Sequence, residues 1–264
     1  MVGPIVADVP ELAATIFTDP YCPWSWAAEP QLRRLQVEFG ARLGFTFVIV
    51  GLRRKIEARD ALDLALGTMD AAAESGMPAD PRVFMRNPPS STHPAGLAIS
   101  AVADQADPAR FIRRLREAIL LEGRRMDNAP ALLDAARETG GLDLARLEVD
   151  FGSAAILERF AADLERGRGV TTPAIAFGDG ARIEGFGPYE RLREAAGAAL
   201  GEPSANGFPG IEEALRRFGP MATTEIAAVC DLPGPRAPAE LWKLALEWRV
   251  RPRRAGGGEL WEAA

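Results

Sequence analysis

Asp19-Pro20-Tyr21-Cys22-Pro23-Trp24-Ser25-Trp26 stands between a strand and a helix. Residues 13–19, AATIFTD, read as a short buried strand that ends on a polar residue. After Trp26 a helical stretch runs to about Phe39. Its apolar residues Leu32, Leu35 and Phe39 are spaced three and four apart, as one buried helical face requires, and Gly40 is a fitting stop. Residues 45–51, FTFVIVG, are rich in β-branched and aromatic side chains and read as a second strand. Strand, cysteine turn, helix and strand make a βαβ unit, which favours parallel pairing.

Cys22 carries the chemistry. Pro23 takes the first helical position, where a missing N–H costs nothing. Free backbone N–H groups and the helix dipole at such a start favour a thiolate over a thiol, so Cys22 is a candidate nucleophile. A small buried cysteine is the alternative reading. A second signal is Gly169-Val170-Thr171-Thr172-Pro173 at the opening of a strand. Proline is tolerated at a strand's first residue, and an X–Pro bond adopts cis at a cost of only about 0.5–1 kcal/mol. The backbone of Thr172 is then a candidate edge for an extended ligand. A proline that merely ends the preceding helix is the alternative.

Outward from these motifs, residues 57–166 are helical throughout. Ala-rich amphipathic stretches cover 60–75, 94–104, 108–122, 128–139 and 153–166, with breaks at Gly76–Pro81, Asn87–Ser91, Ala106–Pro108 and Gly140-Gly141. Strand character returns at 172–177, and Gly178-Asp179-Gly180 turns it into a short strand at 181–184. A helix over 188–199 closes the unit. The expected division is therefore 1–56 with 167–200 as one α/β domain, 57–166 as a helical insertion, 201–210 as a Gly/Pro/Ser linker, and 211–264 as a tail. The tail reads as helices over 211–218, 223–230 and 238–248 and a glycine-tipped hairpin, an arrangement that resembles a winged helix.

Composition narrows the functions. The chain has 264 residues, 47% hydrophobic and 26% charged, with net charge −6. That balance argues against a protein devoted to nucleic acid or an anionic membrane. The first residues carry no Lys or Arg ahead of an apolar core, and no apolar run is long enough to span a bilayer. A cytoplasmic location is expected. Two cysteines, Cys22 and Cys230, exclude a disulfide scaffold and a multi-cysteine zinc site, and no metal site is expected. The single histidine, His93, excludes catalysis needing two; it reads as a general base or as a surface or cap residue. Asp19 is either a proton-transfer group under the thiol or a strand-end carboxylate. Arg249, Arg251, Arg253 and Arg254 form a basic cluster, but glutamates lie among them, so DNA is not the expected partner. Self-association stays open.

Asp19 to Trp26 resembles the active-site turn of the DsbA-like thioredoxin superfamily, and Gly169–Pro173 its cis-proline loop. The helical block between them, including Leu115-Arg116-Glu117-Ala118 and Leu121-Glu122-Gly123-Arg124, is similar to the family's inserted domain. Ser91-Thr92-His93-Pro94-Ala95 is similar to a segment of its SpxH adaptor branch. The resemblance covers roughly residues 13–200. It implies a thioredoxin-like sheet with a helical insertion. It also implies a thiol-dependent oxidoreductase, or a glutathione-using isomerase or transferase, acting on thiol- or disulfide-bearing proteins or small molecules. Glutathione is the implied co-substrate, with no tightly bound cofactor. Cys22 and Ser25 would be the catalytic pair, and Pro23, Trp24, Thr172 and Pro173 would bind substrate. Redox members of the family carry Cys-x-x-Cys, whereas here Ser25 fills the second position. Without a resolving thiol, an external thiol must release Cys22; the Ser25 hydroxyl is expected to donate a hydrogen bond to the sulfur, the other reading of Ser25 being a decayed site with no retained chemistry. The alternative is a non-catalytic adaptor using the same groove.

Overall fold

The computed structural model describes residues 10–180, 182–203 and 207–264. The first strand, β1 (Leu12–Thr18), leads through Asp19–Cys22 into α1 (Pro23–Ala27) and α2 (Glu29–Phe39). The helix expected to run unbroken to Phe39 is interrupted at Ala28. Pro30 has no N–H to give to the carbonyl of Trp26, so the helical ladder breaks there and restarts. A 3₁₀ turn (Gly40–Arg42) precedes β2 (Leu43–Ile49).

Seven helices follow: α3 (Ala58–Ser75), α4 (Arg82–Arg86), α5 (His93–Ala103), α6 (Ala109–Leu120), α7 (Ala129–Thr139), α8 (Leu144–Asp150) and α9 (Ala154–Arg166). The periodicity missed α4 and α8, which are too short to show a repeat. The side chain of Asp143 caps α8 by accepting from the Arg146 amide, a signal readable as an N-cap. The chain then returns through β3 (Ala174–Phe177), β4 (Ile183–Glu184) and α10 (Tyr189–Leu200).

The four strands form one sheet in the order β2-β1-β3-β4. β1 and β2 are parallel, while β3 runs antiparallel to β1 and β4 antiparallel to β3. The register sets Phe17 beside Ala174, so the end of β1 that feeds the cysteine turn lies next to the start of β3. This is an α/β thioredoxin-like sheet with helices inserted between β2 and β3. The inserted helices share a core with the sheet side: Tyr21, Trp26 and Ile49 pack in one cluster with Phe84, Ile99, Phe111 and Ile119.

Beyond α10, the stretch expected as a linker has residues 204–206 outside the described residues. The tail holds α11 (Ile211–Phe218), β5 (Met221–Ala222), α12 (Thr223–Val229), α13 (Arg236–Leu246), β6 (Val250–Ala255) and β7 (Gly258–Ala263). Its three strands run β5-β7-β6. The helices and hairpin follow the sequence pattern; β5 did not, because two residues carry no alternation.

The tail is packed firmly onto the rest. Its core of Leu215, Ile226, Leu241 and Trp261 takes in Val37 from α2. The hairpin tip presses on the loop after α3. There the amide of Gly257 donates to the carbonyl of Ala79 at 3.1 Å. A Cβ on Gly256, whose φ is +57°, would lie 2.9 Å from the Ala79 backbone, so glycine is required for the approach. A buried ionic cluster completes the join. Glu225 of α12 is fully buried and takes both terminal nitrogens of Arg113, at 2.9 and 3.0 Å. It also meets Nε of Arg33 at 3.3 Å and accepts from the amide of Ala222 at 2.7 Å. Behind it Arg116 pairs with Glu29 and reaches Thr18.

Candidate functional site

Cys22 is the N-cap of α1, as the Cys-Pro step suggested. Its amide donates to the carbonyl of Asp19 at 3.0 Å, closing the turn. Its sulfur accepts from the amide of Ser25 at 3.4 Å and from the hydroxyl of Thr172 at 3.2 Å. The carbonyl of Thr172 lies 3.8 Å from the same sulfur. The Thr172–Pro173 peptide bond is cis. The cysteine turn and the proline loop, 150 residues apart in sequence, therefore meet across the ends of β1 and β3. Cys22 is only 4% exposed, while Thr172 and Pro173 above it are half-buried.

Ser25 departs from expectation. Its hydroxyl is buried and has no hydrogen-bond partner among the described residues, and its backbone amide contacts the sulfur instead. The first turn of a helix points its free amides at the N-cap side chain, so the main chain occupies the place predicted for the hydroxyl. The donating hydroxyl is that of Thr172.

Pro23 is buried behind the sulfur, and the two tryptophans divide their roles. Trp26 is buried, donates its indole N–H to the carbonyl of Pro78 at 2.8 Å, and lies under the guanidinium of Arg113 at 4.2 Å. Trp24 is half-buried and meets Phe186 with ring centroids 5.8 Å apart. Phe186 escaped the sequence reading; its place in Gly185-Phe186-Gly187-Pro188, directly after β4, was the available signal. An apolar groove runs away from Pro173, walled by Ile175, Ile183, Phe186 and Leu192, with Gln31 and Arg191 on its border.

Asp19 proves to be a brace. Its carboxylate is fully buried and accepts from the amides of Tyr21 and Leu52, both at 2.9 Å. It thereby ties the cysteine turn to the loop after β2. Burial pushes its pKa up, against the lowering pull of these hydrogen bonds and of Arg116. Asp19→Asn supplies one acceptor and one amino group for two backbone donors, so one N–H is left facing a donor. A loss of about 1–3 kcal/mol is expected, read as a lower urea midpoint at pH 7; an unchanged midpoint would refute the brace. The Tyr21 hydroxyl performs a similar task, accepting from the Met126 amide at 3.0 Å.

His93 begins α5, its amide on the hydroxyl of Ser91 and its ring edge-on to Phe160 at 5.3 Å. Burial lowers its pKa, against the raising effect of a hydrogen bond with the Gly51 backbone. These contacts lie with the end of β2 and α9, so the structural reading of His93 prevails over the general base. Cys230 is buried in the tail core. Burial there, and the charge of Glu213, push its thiol up to about 11. Among the described residues no group of acidic, histidine or cysteine side chains could hold a metal ion, and no helix is long and apolar enough to cross a membrane. In the tail, Arg249, Arg251 and Arg253 pair with Glu212, Glu247 and Glu262, while the exposed Arg254 makes no ion pair among the described residues.

A strand-end cysteine capping a helix, opposed by a cis-proline loop on an α/β sheet with inserted helices, defines a DsbA-like member of the thioredoxin superfamily. A thioredoxin family model matches residues 16–191, and the chain belongs to that family. It is 28% identical to the ClpXP adapter protein SpxH of Halalkalibacterium halodurans, over 93% of this chain and 86% of that protein. Its structure is similar to that of a putative protein disulfide isomerase from Nitrosomonas europaea, with TM-score 0.63 and 19% identity over 72% of this chain and 97% of the other. It is likewise similar to the cytosolic disulfide reductase DsbM from Pseudomonas aeruginosa with GSH, with TM-score 0.54 and 22% identity over 73% and 94%.

Proposed function

We propose that this protein is a single-thiol, DsbA-like oxidoreductase in which Cys22 exchanges with disulfides presented along the Thr172–Pro173 edge. The observation that supports this best is the sulfur's position: at a helix start, it receives one hydrogen bond from each of the two loops that frame it. The Cys22 thiolate attacks one sulfur of a substrate disulfide. A mixed disulfide forms on Cys22, and the other half of the substrate leaves as a thiolate. An external thiol, glutathione in this reading, then attacks the mixed disulfide and restores Cys22 while becoming the new disulfide partner. The apolar groove beyond Pro173 suits an extended ligand, with Trp24 and Phe186 at its entrance and Arg191 available to a carboxylate. The exchange is placed in the cytoplasm, where glutathione keeps thiols reduced.

The experiment is mixing with glutathione disulfide followed by intact-mass measurement. One glutathione should attach per chain at Cys22, leave again with excess reduced glutathione, and be absent from Cys22→Ala. Addition at Cys230 alone, or none at all, would refute the reading.

A second reading is a protein-binding adaptor. It is favoured because the SpxH relative matches over 93% of the chain, the tail included, whereas the disulfide-enzyme structures cover about 72%. On this reading the same groove holds a segment of a partner protein. Partner capture that survives Cys22→Ala would favour the adaptor; capture that disappears with the sulfur would favour exchange.

A further inference from the structure

On the other flank of α2 lies an open cleft of about 740 Å³, within the range of ligand pockets. It shares only Ile16 and Leu32 with the groove beside Pro173. Three parts of the chain build it: the sheet and α2, then α6 with the end of α7, then the end of α11. Its apolar side is Phe45 and Phe47 of β2 with Ile112 of α6, and both phenylalanines are half-buried. Its polar side is cationic: seven arginines and three glutamates line it.

The inner guanidinium groups already have carboxylates. Glu29, Glu117 and Glu225 serve Arg33, Arg113 and Arg116, while Arg114 is met by Glu122 and Glu138. The outer ones do not. Arg110 donates to the carbonyl of Thr139 and Arg217 to that of Gln36. Among the described residues, Arg110, Arg216 and Arg217 make no ion pair. Two deeply buried donors are also unmatched. Nη1 of Arg33 and Nε of Arg116 find no hydrogen-bond partner among the described residues, although the side chains are only 8% and 2% exposed. Both arginines line the cleft. A buried, charged N–H without an acceptor is costly, and charge-assisted bonds to an anion are among the strongest available.

We propose that this cleft binds a small amphipathic anion. An apolar body rests against Phe45 and Phe47, and a carboxylate or phosphate head accepts from the exposed Arg216 and Arg217 and from Arg33 and Arg116, whose enclosed N–H groups turn into the cleft as it binds. Arg216, Arg217 and Phe218 close the site from the tail, so occupation favours the docked arrangement of α11 and should stabilise the folded chain.

The test is titration calorimetry on the full chain with four probes: octanoate, octyl phosphate, octanol and inorganic phosphate. Octanoate or octyl phosphate should bind with one site, at least tenfold more tightly than octanol or inorganic phosphate, and more weakly as salt rises. The tighter of the two identifies the head group. Arg116→Lys, which keeps the charge but loses the unmatched Nε, should weaken binding about tenfold. The exposed double variant Arg216→Gln/Arg217→Gln should weaken it about threefold without a burial penalty. Alkylating Cys22 should change nothing, which separates this site from the proline groove. Equal affinity for octanol, no saturable binding, or wild-type affinity in the Arg216→Gln/Arg217→Gln variant would overturn the proposal.

Discussion

Replacing Glu225 with alanine is expected to destabilise the chain by about 3–5 kcal/mol, the cost of removing one partner from a buried ion pair. Glu225 is fully buried, and its two oxygens serve Arg113, Arg33 and the start of α12. Without it, Arg113 keeps Glu117 at 2.7 Å and the two buried guanidinium groups share only Glu29, at 3.7 and 3.8 Å, too little carboxylate for the charge enclosed there. Glu225→Gln keeps the shape and one acceptor and should recover part of the loss. Urea unfolding at pH 7 decides the point; a loss under about 1 kcal/mol would mean the cluster is not holding the tail in place. Acid should act on the same cluster through Glu29. Burial pushes its carboxyl up, but Arg116, Arg113 and Arg33 overrule it and hold its pKa below the usual glutamate value. A carboxyl lower in the folded chain than in the unfolded one contributes stability above the unfolded value, near 4.5. That contribution disappears as the pH falls through the folded value.

The second large effect is a gain. On the proposed exchange chemistry, Ser25→Cys should convert a site that needs an external thiol to release the mixed disulfide into one that resolves it internally. The Ser25 hydroxyl is buried and forms no hydrogen bond among the described residues, so replacing it with a thiol breaks nothing. Residues three apart in a first helical turn bring their Cβ atoms to about 5–6 Å, and a local shift of about 1–2 Å at the helix start brings them within disulfide range. In glutathione disulfide the variant should form an internal bond between Cys22 and the introduced thiol, seen as the loss of two hydrogens in the intact mass. Its turnover of a protein disulfide with reduced glutathione should rise tenfold or more. Failure to form that bond would mean Cys22 is held away from its own helix start, contrary to the sulfur geometry described above.

Much of the site was legible in the residues. Cys22-Pro23 predicted an N-cap cysteine because capping and proline placement are local rules, settled within one turn of backbone. Thr172-Pro173 opening a strand predicted a loop that could face it, since a strand start is a local event as well. Other parts were not legible. The sequence offered the Ser25 hydroxyl as the sulfur's donor, but the helix start had its amide there already. Phe186 had no periodicity to announce it. Asp19 looked equally suited to proton transfer and to bracing a strand end. Of the two amides that decide between these, that of Tyr21 lies two residues away in the same turn, but that of Leu52 becomes a neighbour only when β1 and β2 pair.

Strand and helix periods, caps and the cysteine–proline spacing lay in the chain alone, because each depends on neighbours a few residues away. The tail's attachment did not. The tail's helices and hairpin could be read, yet nothing in them told that Glu225 would be buried against Arg113, 112 residues earlier. A charge in a sequence is a solvated charge until the fold removes its water, and which charges are stranded together depends on packing across the whole molecule. For the same reason the arginine-lined cleft existed only once α2, α6 and α11 had closed around it.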